Sequence, residues 1–221
     1  TMLRVSGPAV RHLAEVFQSS WHRASHSLSP LPLPAASTAG VTCLQVLSSA
    51  GRQGRRPIQR SLRQTIARAT GRCFLTPPYF LPQPRLDRAL VLAARRGVDV
   101  RVLTAGISDV PLVRRASRHL YARLLRRGVR IFEYEKRTLH AKTVVIDGVY
   151  ASVGTFNLDH WSWRRLLEVN VSAIGPQVAT ALEAQFHEDL RDSSEVTLQL
   201  LEDRGILERL VDWSAWLLLR W

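Results

Sequence analysis

A histidine and a lysine two residues apart, His140 and Lys142, are the side chains in this sequence best suited to chemistry. They stand at the entry of a predicted strand, residues 143–147, and side chains two apart in a strand project to the same face. The ammonium neutralises non-bridging phosphate oxygens, while an imidazole nitrogen attacks phosphorus or protonates the leaving oxygen. The pair therefore predicts a site for a phosphodiester.

Small and polar residues lie at the end of the next predicted strand, residues 150–154. Gly154 would let the backbone approach a phosphate closely, and Thr155 and Asn157 would donate hydrogen bonds to its oxygens. The alternative is that His140 is an ordinary hydrogen-bonded surface or core residue. Six specified residue types at fixed spacing, in a strand–turn–strand context, favour the catalytic interpretation.

A nucleophilic histidine also needs a carboxylate on its second ring nitrogen, which fixes the tautomer. The residues alone leave three candidates for this role, namely Asp147, Asp159 and Glu168.

The elements that must position these residues alternate along the chain. Predicted strands cover residues 72–76, 98–104, 129–134, 143–147 and 150–154, and predicted helices cover 86–96 and 113–127. Strands that alternate with helices of this length indicate an α/β sheet covered by helices. Before them, the sequence predicts a helix at 7–21, a linker at 25–40, a strand at 41–47, a basic loop at 51–56 and a helix at 57–69.

Two further segments have two interpretations each. The loop Pro-Pro-Tyr-Phe-Leu-Pro, residues 77–82, follows a strand at the carboxyl side of the sheet, where ligands bind. Tyr79 and Phe80 are therefore possible pocket residues, or rings packed inward. The tail places Ile206, Leu210, Trp213 and Leu217 at helical spacing. Such a stripe suits either a helix in the membrane interface or a helix docked on the core.

Composition favours an anionic partner. The net charge is +13, with 29 arginines and only two lysines. Phospholipid head groups, nucleic acid and phosphorylated substrates are the candidate classes. Cys43 and Cys73 lack metal-ligand spacing, which is typical of reduced core thiols in a cytoplasmic protein. The sequence contains no run of about 18 apolar residues, so it predicts no helix that spans a bilayer.

The pattern His140-x-Lys142-x4-Asp147-x6-Gly154-Thr155-x-Asn157 resembles the HKD signature of the phospholipase D superfamily. Residues 75–109, 120–148 and 153–171 are similar to the second half of bacterial cardiolipin synthases. Residues 4–21 resemble the segment after the first HKD motif of those enzymes. The resemblance implies that the first motif, and any N-terminal membrane anchor, lie upstream of Thr1 in a longer protein.

The resemblance implies a phospholipase D-like fold, a mixed β-sheet flanked by helices on both faces, with one HKD half and a remnant of the preceding half. We expect a remnant and linker at 1–50, the HKD domain at 51–195 and a Trp/Leu-rich amphipathic tail at 196–221.

The site roles also follow from the resemblance. His140 would be a catalytic histidine, Lys142 a phosphate ligand, Asp147 mainly a structural ion-pair partner and Glu168 the carboxylate that orients His140. Gly154, Thr155 and Asn157 would line the phosphate site with Lys142, and the 77–82 loop would border it. No metal or organic cofactor is implied.

Three positions depart from the family pattern. Thr155 stands where serine is usual, which keeps the hydroxyl. Trp161 replaces an arginine and Leu166 an asparagine, which removes polar groups near the pocket.

The function that the resemblance implies is a phosphatidyltransferase of the cardiolipin synthase type, acting on phosphatidylglycerol through a phosphohistidine. The expected partners are anionic phospholipid, the cytoplasmic face of the bacterial inner membrane (bound peripherally), and the missing half or a second copy of the chain. One alternative is a nuclease or phosphodiesterase that works as a single-motif homodimer, with nucleic acid as its partner. A degenerate lipid-binding half is the other.

Overall fold

The computed structural model describes residues 1–25, 40–50, 57–159, 162 and 166–219. The predicted linker at 25–40, apart from its two end residues, and the basic loop at 51–56 lie outside the described residues, as does Trp161. The helices are α1 (Ala9–Ser25), α2 (Pro57–Arg68), α3 (Pro84–Arg95), α4 (Pro111–Leu125), α5 (Pro176–Arg191), α6 (Leu198–Glu202) and α7 (Ile206–Leu219). The strands are β1 (Cys43–Ala50), β2 (Arg72–Thr76), β3 (Asp99–Ala105), β4 (Arg130–Tyr134), β5 (Thr143–Ile146), β6 (Tyr150–Gly154), β7 (Leu167–Ile174) and β8 (Ser193–Val196).

The eight described strands form one mixed sheet in the order β1-β7-β6-β5-β2-β3-β4-β8. The central strands β2, β3 and β4 are parallel to one another. The flanking strands pair antiparallel. The two parallel connections run through α3 and α4, which is the arrangement that the strand–helix alternation predicts.

Helices cover both faces of the sheet. One apolar layer joins α2, α3, α4 and α7 to side chains such as Val144 and Ile146 of β5. The other places Phe186 and Ala179 of α5 against the opposite face, where Val145 of β5 points. All four residues of β5 are buried, as expected for a strand covered on both sides.

Two edge strands lie at the predicted domain boundaries. β1 pairs with β7 over eight residues, from Cys43 opposite Ile174 to Ala50 opposite Leu167. β1 therefore belongs to the same sheet as the strands of the domain predicted at 51–195. β8 runs through the boundary predicted at residues 195 and 196 and pairs with β4.

The sequence analysis does not predict β7, β8 or α5. These elements lie in the last third of the chain, and β8 is only four residues long with exposed polar side chains. Cys43 differs from the prediction of a core thiol, because it is exposed, whereas Cys73 is buried.

Candidate active site

Most of the predicted site residues meet at one end of the sheet; Asp147 and Phe80 do not. β2, β3, β4 and β6 end there, and β5 and β7 begin there. His140 and Lys142 precede β5, Thr155 and Asn157 follow β6, and Glu168 lies at the start of β7. The carboxyl edge of the parallel strands is where α/β proteins bind ligands.

Lys142 lies half-buried among carboxylates. Burial lowers the pKa of its ammonium, and the negative charges of Glu168, Asp109 and Asp159 oppose that shift. Its Nζ donates a hydrogen bond of 3.0 Å to the backbone carbonyl of His140. Among the described residues, no carboxylate pairs with Nζ, so the ammonium is available to an anionic ligand.

His140 has fewer contacts. Its side chain is exposed, and no described residue hydrogen-bonds its imidazole. It lines a cavity with Tyr134, Arg137, Gln185 and Asp189. The imidazole is therefore open to an incoming group, and it lacks the carboxylate partner that the sequence predicts.

Glu168 is buried and bound to a different neighbour than expected. The hydroxyl of Thr155 donates to its carboxylate, and the backbone N–H of Val169 donates to that hydroxyl over 3.0 Å. Burial raises the pKa of Glu168, hydrogen bonds from Thr155 and Ser162 lower it, and the charge of Asp159 raises it. Within the described residues, the expected hydrogen bond between Glu168 and His140 is absent.

Gly154 is required for a different reason than the one predicted. A Cβ atom there would lie 2.2 Å from both the carbonyl oxygen of Val169 and Oδ1 of Asn170. The neighbouring strand β7, rather than a phosphate, therefore excludes a side chain at this position.

Asn170 fixes the loop that follows β6. Its Nδ2 donates to the hydroxyl of Ser152 over 3.1 Å, and its Oδ1 accepts from the backbone N–H of Phe156 over 3.2 Å. Asn157, which follows Phe156, is 8% exposed, and its side-chain Oδ1 has no hydrogen-bond partner among the described residues. A buried, unpaired amide oxygen is costly unless a ligand or water completes it.

Asp147 lies at the opposite end of β5, roughly 16 Å of extended strand from Lys142. Its carboxylate accepts from the backbone N–H groups of Thr70, Gly71 and Arg72 and from the Thr70 hydroxyl, at 2.8 to 3.1 Å. Burial would raise the pKa of Asp147, but these hydrogen bonds outweigh it and lower the pKa. Among the described residues, backbone N–H groups and one hydroxyl hold this carboxylate, and the expected ion pair with a cation is not found there.

Tyr79 and Phe80 have different surroundings. The Tyr79 hydroxyl donates to Asp109 over 2.7 Å, and burial together with that carboxylate raises the pKa of Tyr79 to about 12. Tyr79 thus borders the carboxylates around Lys142. Phe80 is fully buried in the core, so the prediction of a pocket role for it is wrong.

The sequence reasoning missed Asp109, Ser162 and Asn170. Asp109 sits in the loop after β3, at the same carboxyl edge, and that position is the signal that would have found it. Ser162 donates its backbone N–H to Asp159 over 2.7 Å, a short-range contact consistent with their spacing of three residues. No group of three metal-ligating side chains occurs within the described part of the chain.

Comparison with known proteins places this geometry in a family. The family model of the phospholipase D-like domain of cardiolipin synthases matches residues 62–190. Cardiolipin synthase A of Pseudomonas putida is 35% identical over 211 residues, and that of Pseudomonas aeruginosa is 36% identical over 210. Each alignment covers 95% of this chain, and 44% and 42% of the respective relative. The chain belongs to the cardiolipin synthase family of phospholipase D-like proteins, and it spans less than half the length of these curated relatives.

Two solved structures share the fold. Phosphatidylserine synthase from Haemophilus influenzae superposes with a TM-score of 0.65 at 15% identity, over 92% of this chain and 50% of that one. Nuc, a phospholipase D family member from Salmonella typhimurium, gives a TM-score of 0.60 at 20% identity, over 71% of this chain and 99% of that one. The likeness confirms the predicted phospholipase D-like fold.

Proposed function

We propose that this chain is one catalytic half of a phosphatidyltransferase of the cardiolipin synthase type, acting on phosphatidylglycerol. The observation that carries the proposal is the position of Lys142, half-buried beside His140 at the carboxyl edge of the sheet. The names of the curated relatives, cardiolipin synthase A, support the choice of lipid chemistry.

In the first step, a ring nitrogen of a histidine attacks the phosphorus of phosphatidylglycerol. The bond from phosphorus to the glycerol oxygen breaks, glycerol leaves with a proton from an acid, and a phosphohistidine remains. Lys142 would hold non-bridging oxygens and the Nδ2 group of Asn157 would donate to the phosphate, joined by the Thr155 hydroxyl once its hydrogen bond with Glu168 rearranges. The Oδ1 of Asn157, which has no partner among the described residues, would accept from a hydroxyl group of the lipid head group.

In the second step, a hydroxyl group of a second phosphatidylglycerol attacks the phosphohistidine. The P–N bond breaks, the hydroxyl proton passes to a base, and the product is a diphosphatidyl lipid. His140 would supply one of the two histidines that these steps use. The other would come from sequence outside this chain, or from a second copy.

The carboxylates have separate proposed roles. Glu168 would stabilise a positively charged His140 only after its hydrogen bond with Thr155 rearranges, since the two residues are not in contact here. Asp147 would stabilise the scaffold. Peripheral binding to a membrane fits this function, and no described helix is long and apolar enough to span a bilayer.

A second candidate is a phosphodiesterase or nuclease in which two copies pair their single motifs. The fold of the Nuc chain supports it, because this chain covers 99% of that chain, so a solved chain of this family consists of one such unit. The net charge of +13 would suit nucleic acid. A third candidate, a degenerate lipid-binding half, is motivated by Leu166, which leaves an apolar side chain 47% exposed where the family pattern has an asparagine.

The test uses two phosphodiesters with different leaving groups. Bis(4-nitrophenyl) phosphate releases an aryl oxide that departs without protonation, so a single histidine should suffice. Phosphatidylglycerol releases an alkoxide that needs an acid. We expect the purified chain to cleave the aryl diester, to form an acid-labile phosphohistidine detectable by mass spectrometry, and to make little or no cardiolipin as a monomer.

Light scattering fixes the oligomeric state in the same samples. A strictly monomeric chain that makes cardiolipin would contradict the need for two histidines. Cleavage of DNA without lipid turnover would favour the nuclease candidate. Vesicle binding with neither diester cleaved would favour the lipid-binding half.

A further inference from the structure

The C-terminal helix α7 presents an apolar face that no described residue covers. Its exposed large hydrophobic residues are Ile206 75%, Leu207 78%, Leu210 51%, Val211 47%, Trp213 45%, Leu217 41% and Leu218 69%. Taking roughly 200 Å² for a fully exposed large apolar residue, this outward face offers on the order of 800 Å². The largest apolar patch on a typical monomer is about 300–600 Å².

The helix is nevertheless fixed to the domain by its other side. Asp212 is buried and pairs with Arg204 at 2.5 Å and Arg115 at 3.6 Å. One turn further, the indole of Trp216 packs on the His119 ring of α4, with the ring centroids 4.8 Å apart. The position of α7 is therefore set by α4, and the outward face remains exposed when the helix is docked.

The outward face is continuous. At about 100° per residue, the seven exposed apolar residues occupy an arc about 160° wide, in which Ser214 is the only polar side chain. The stripe that the sequence predicts, Ile206, Leu210, Trp213 and Leu217, lies within this arc. Such an arc on a short helix is typical of a helix that lies in a membrane interface.

The charges beside the arc favour a lipid surface over a protein partner. Glu208 pairs with Arg204 at 3.3 Å, and the buried Asp212 lies between Arg204 and Arg115, so cations compensate both carboxylates. Arg209 is exposed at the margin of the arc. An exposed guanidinium beside an apolar face suits anionic head groups above acyl chains.

The inward side of α7 borders the loop next to the candidate site. Trp216 and Leu219 line a cavity with Leu81 and Pro82, in the loop that also carries Tyr79. The helix, with its outward face turned away from this cavity, therefore lies beside the loop that borders Lys142 and its carboxylates.

We propose that the outward face of α7 is a membrane-docking surface that lies in the head-group region of a bilayer containing anionic phospholipid. The choice of lipid as the occupant rests in part on the proposed function. The docking itself needs no catalysis, so it is measured without turnover.

The test compares two doubly substituted chains on vesicles of equal parts phosphatidylcholine and phosphatidylglycerol. Leu207→Glu with Leu218→Glu places two charges on the outward face without opening the core. Val149→Glu with Ile174→Glu is the matched control, because both residues are exposed apolar positions at the far end of the sheet. Sedimentation is done at about 0.5 M salt, where the Debye length is below roughly 8 Å and non-specific attraction is screened.

We expect the α7 variant to lose at least about tenfold in vesicle binding and the control to stay within about twofold of the original chain. Brominated lipid should quench part of the fluorescence of the six tryptophans, and Trp213→Phe should reduce that quenching. Circular dichroism checks that both variants are folded.

Binding of the α7 variant equal to that of the original chain would overturn the proposal. So would a change from dimer to monomer in the α7 variant with vesicle binding intact, because the face would then be a contact between copies. The activity on bis(4-nitrophenyl) phosphate, which is soluble, tests the proposed function separately.

Discussion

The two ends of β5 differ in how their polar groups are satisfied. At one end, the Asp147 carboxylate accepts four hydrogen bonds from the turn between α2 and β2. At the other end, no described residue hydrogen-bonds the imidazole of His140, and Lys142 donates only to a backbone carbonyl. The polar side chain at one end of β5 thus has its hydrogen bonds completed within the protein, whereas those at the other end have few partners among the described residues. We call these the closed and the open end of β5.

This contrast divides the HKD signature into two kinds of residue. Asp147 also has φ of 52°, and Gly148 has φ of 67°, so the turn into β6 depends on residues that accept the left-handed region. A carboxylate that satisfies a turn in this way stabilises the fold. Side chains left open at a sheet edge are available to a ligand instead.

The largest expected effect is that of His140→Ala on catalysis. Cleavage of bis(4-nitrophenyl) phosphate should fall at least about a thousandfold, because no other side chain at that position can form a phosphohistidine. The midpoint of thermal unfolding should not change, since the side chain is exposed. Turnover equal to that of the original chain would remove His140 from the mechanism.

Lys142→Met should have the next largest effect, about a hundredfold or more in kcat, because the charge that holds the phosphoryl oxygens is lost. The chain has a single other lysine, Lys136, which is exposed and pairs with Asp192 at 2.9 Å. Lys136→Met is therefore the matched control and should leave the rate within about twofold. Equal losses in both variants would indicate a general effect of charge on the substrate.

The sequence predicted which residues lie at the site end of the sheet better than it predicted their hydrogen-bond partners. Strand and helix positions from residue 57 to 154 follow from periodicity and turn residues, and the HKD spacing locates Lys142. Neither the periodicity nor the HKD spacing predicts the hydrogen-bond partner of Glu168. Thr155 and His140 both belong to the HKD pattern, and only the packing of the folded chain decides which of them Glu168 contacts. Asn170 was missed because its role, fixing Phe156 and Ser152, is a contact between strands with no local signal.

Glu168→Gln tests which of these contacts matters for catalysis. We expect a loss of about tenfold to a hundredfold in kcat, because an amide does not stabilise a charged imidazole. The raised pKa of Glu168 means that the carboxylate destabilises the folded state as pH rises from its ordinary pKa through the raised one. The variant should therefore be at least as stable as the original chain at neutral pH.

Asp159→Asn is the comparison for that experiment. Asp159 is buried beside Ser162 and contributes to the field around both Lys142 and Glu168. A severe loss of activity in Asp159→Asn with a harmless Glu168→Gln would show that Asp159 is the catalytic carboxylate.

The smallest expected effect on activity is that of Asp147→Asn, which changes the closed end of β5. Asparagine keeps the left-handed backbone conformation and one acceptor oxygen, but it loses the charge and turns an NH2 donor toward two of the donors that bound the carboxylate. The free energy of unfolding should fall by about 2 kcal/mol at neutral pH, while activity below the unfolding transition stays within about twofold.

Because the folded-state pKa of Asp147 lies below its ordinary value of 3.8, its stabilisation is present above that value and is lost as pH falls through the lowered pKa. Chemical denaturation at several pH values should therefore show a steeper loss of stability below about pH 4 in the original chain than in the variant. A large loss of activity with unchanged stability would mean that the two ends of β5 are coupled in catalysis, and the division of the signature into scaffold and chemistry would be wrong.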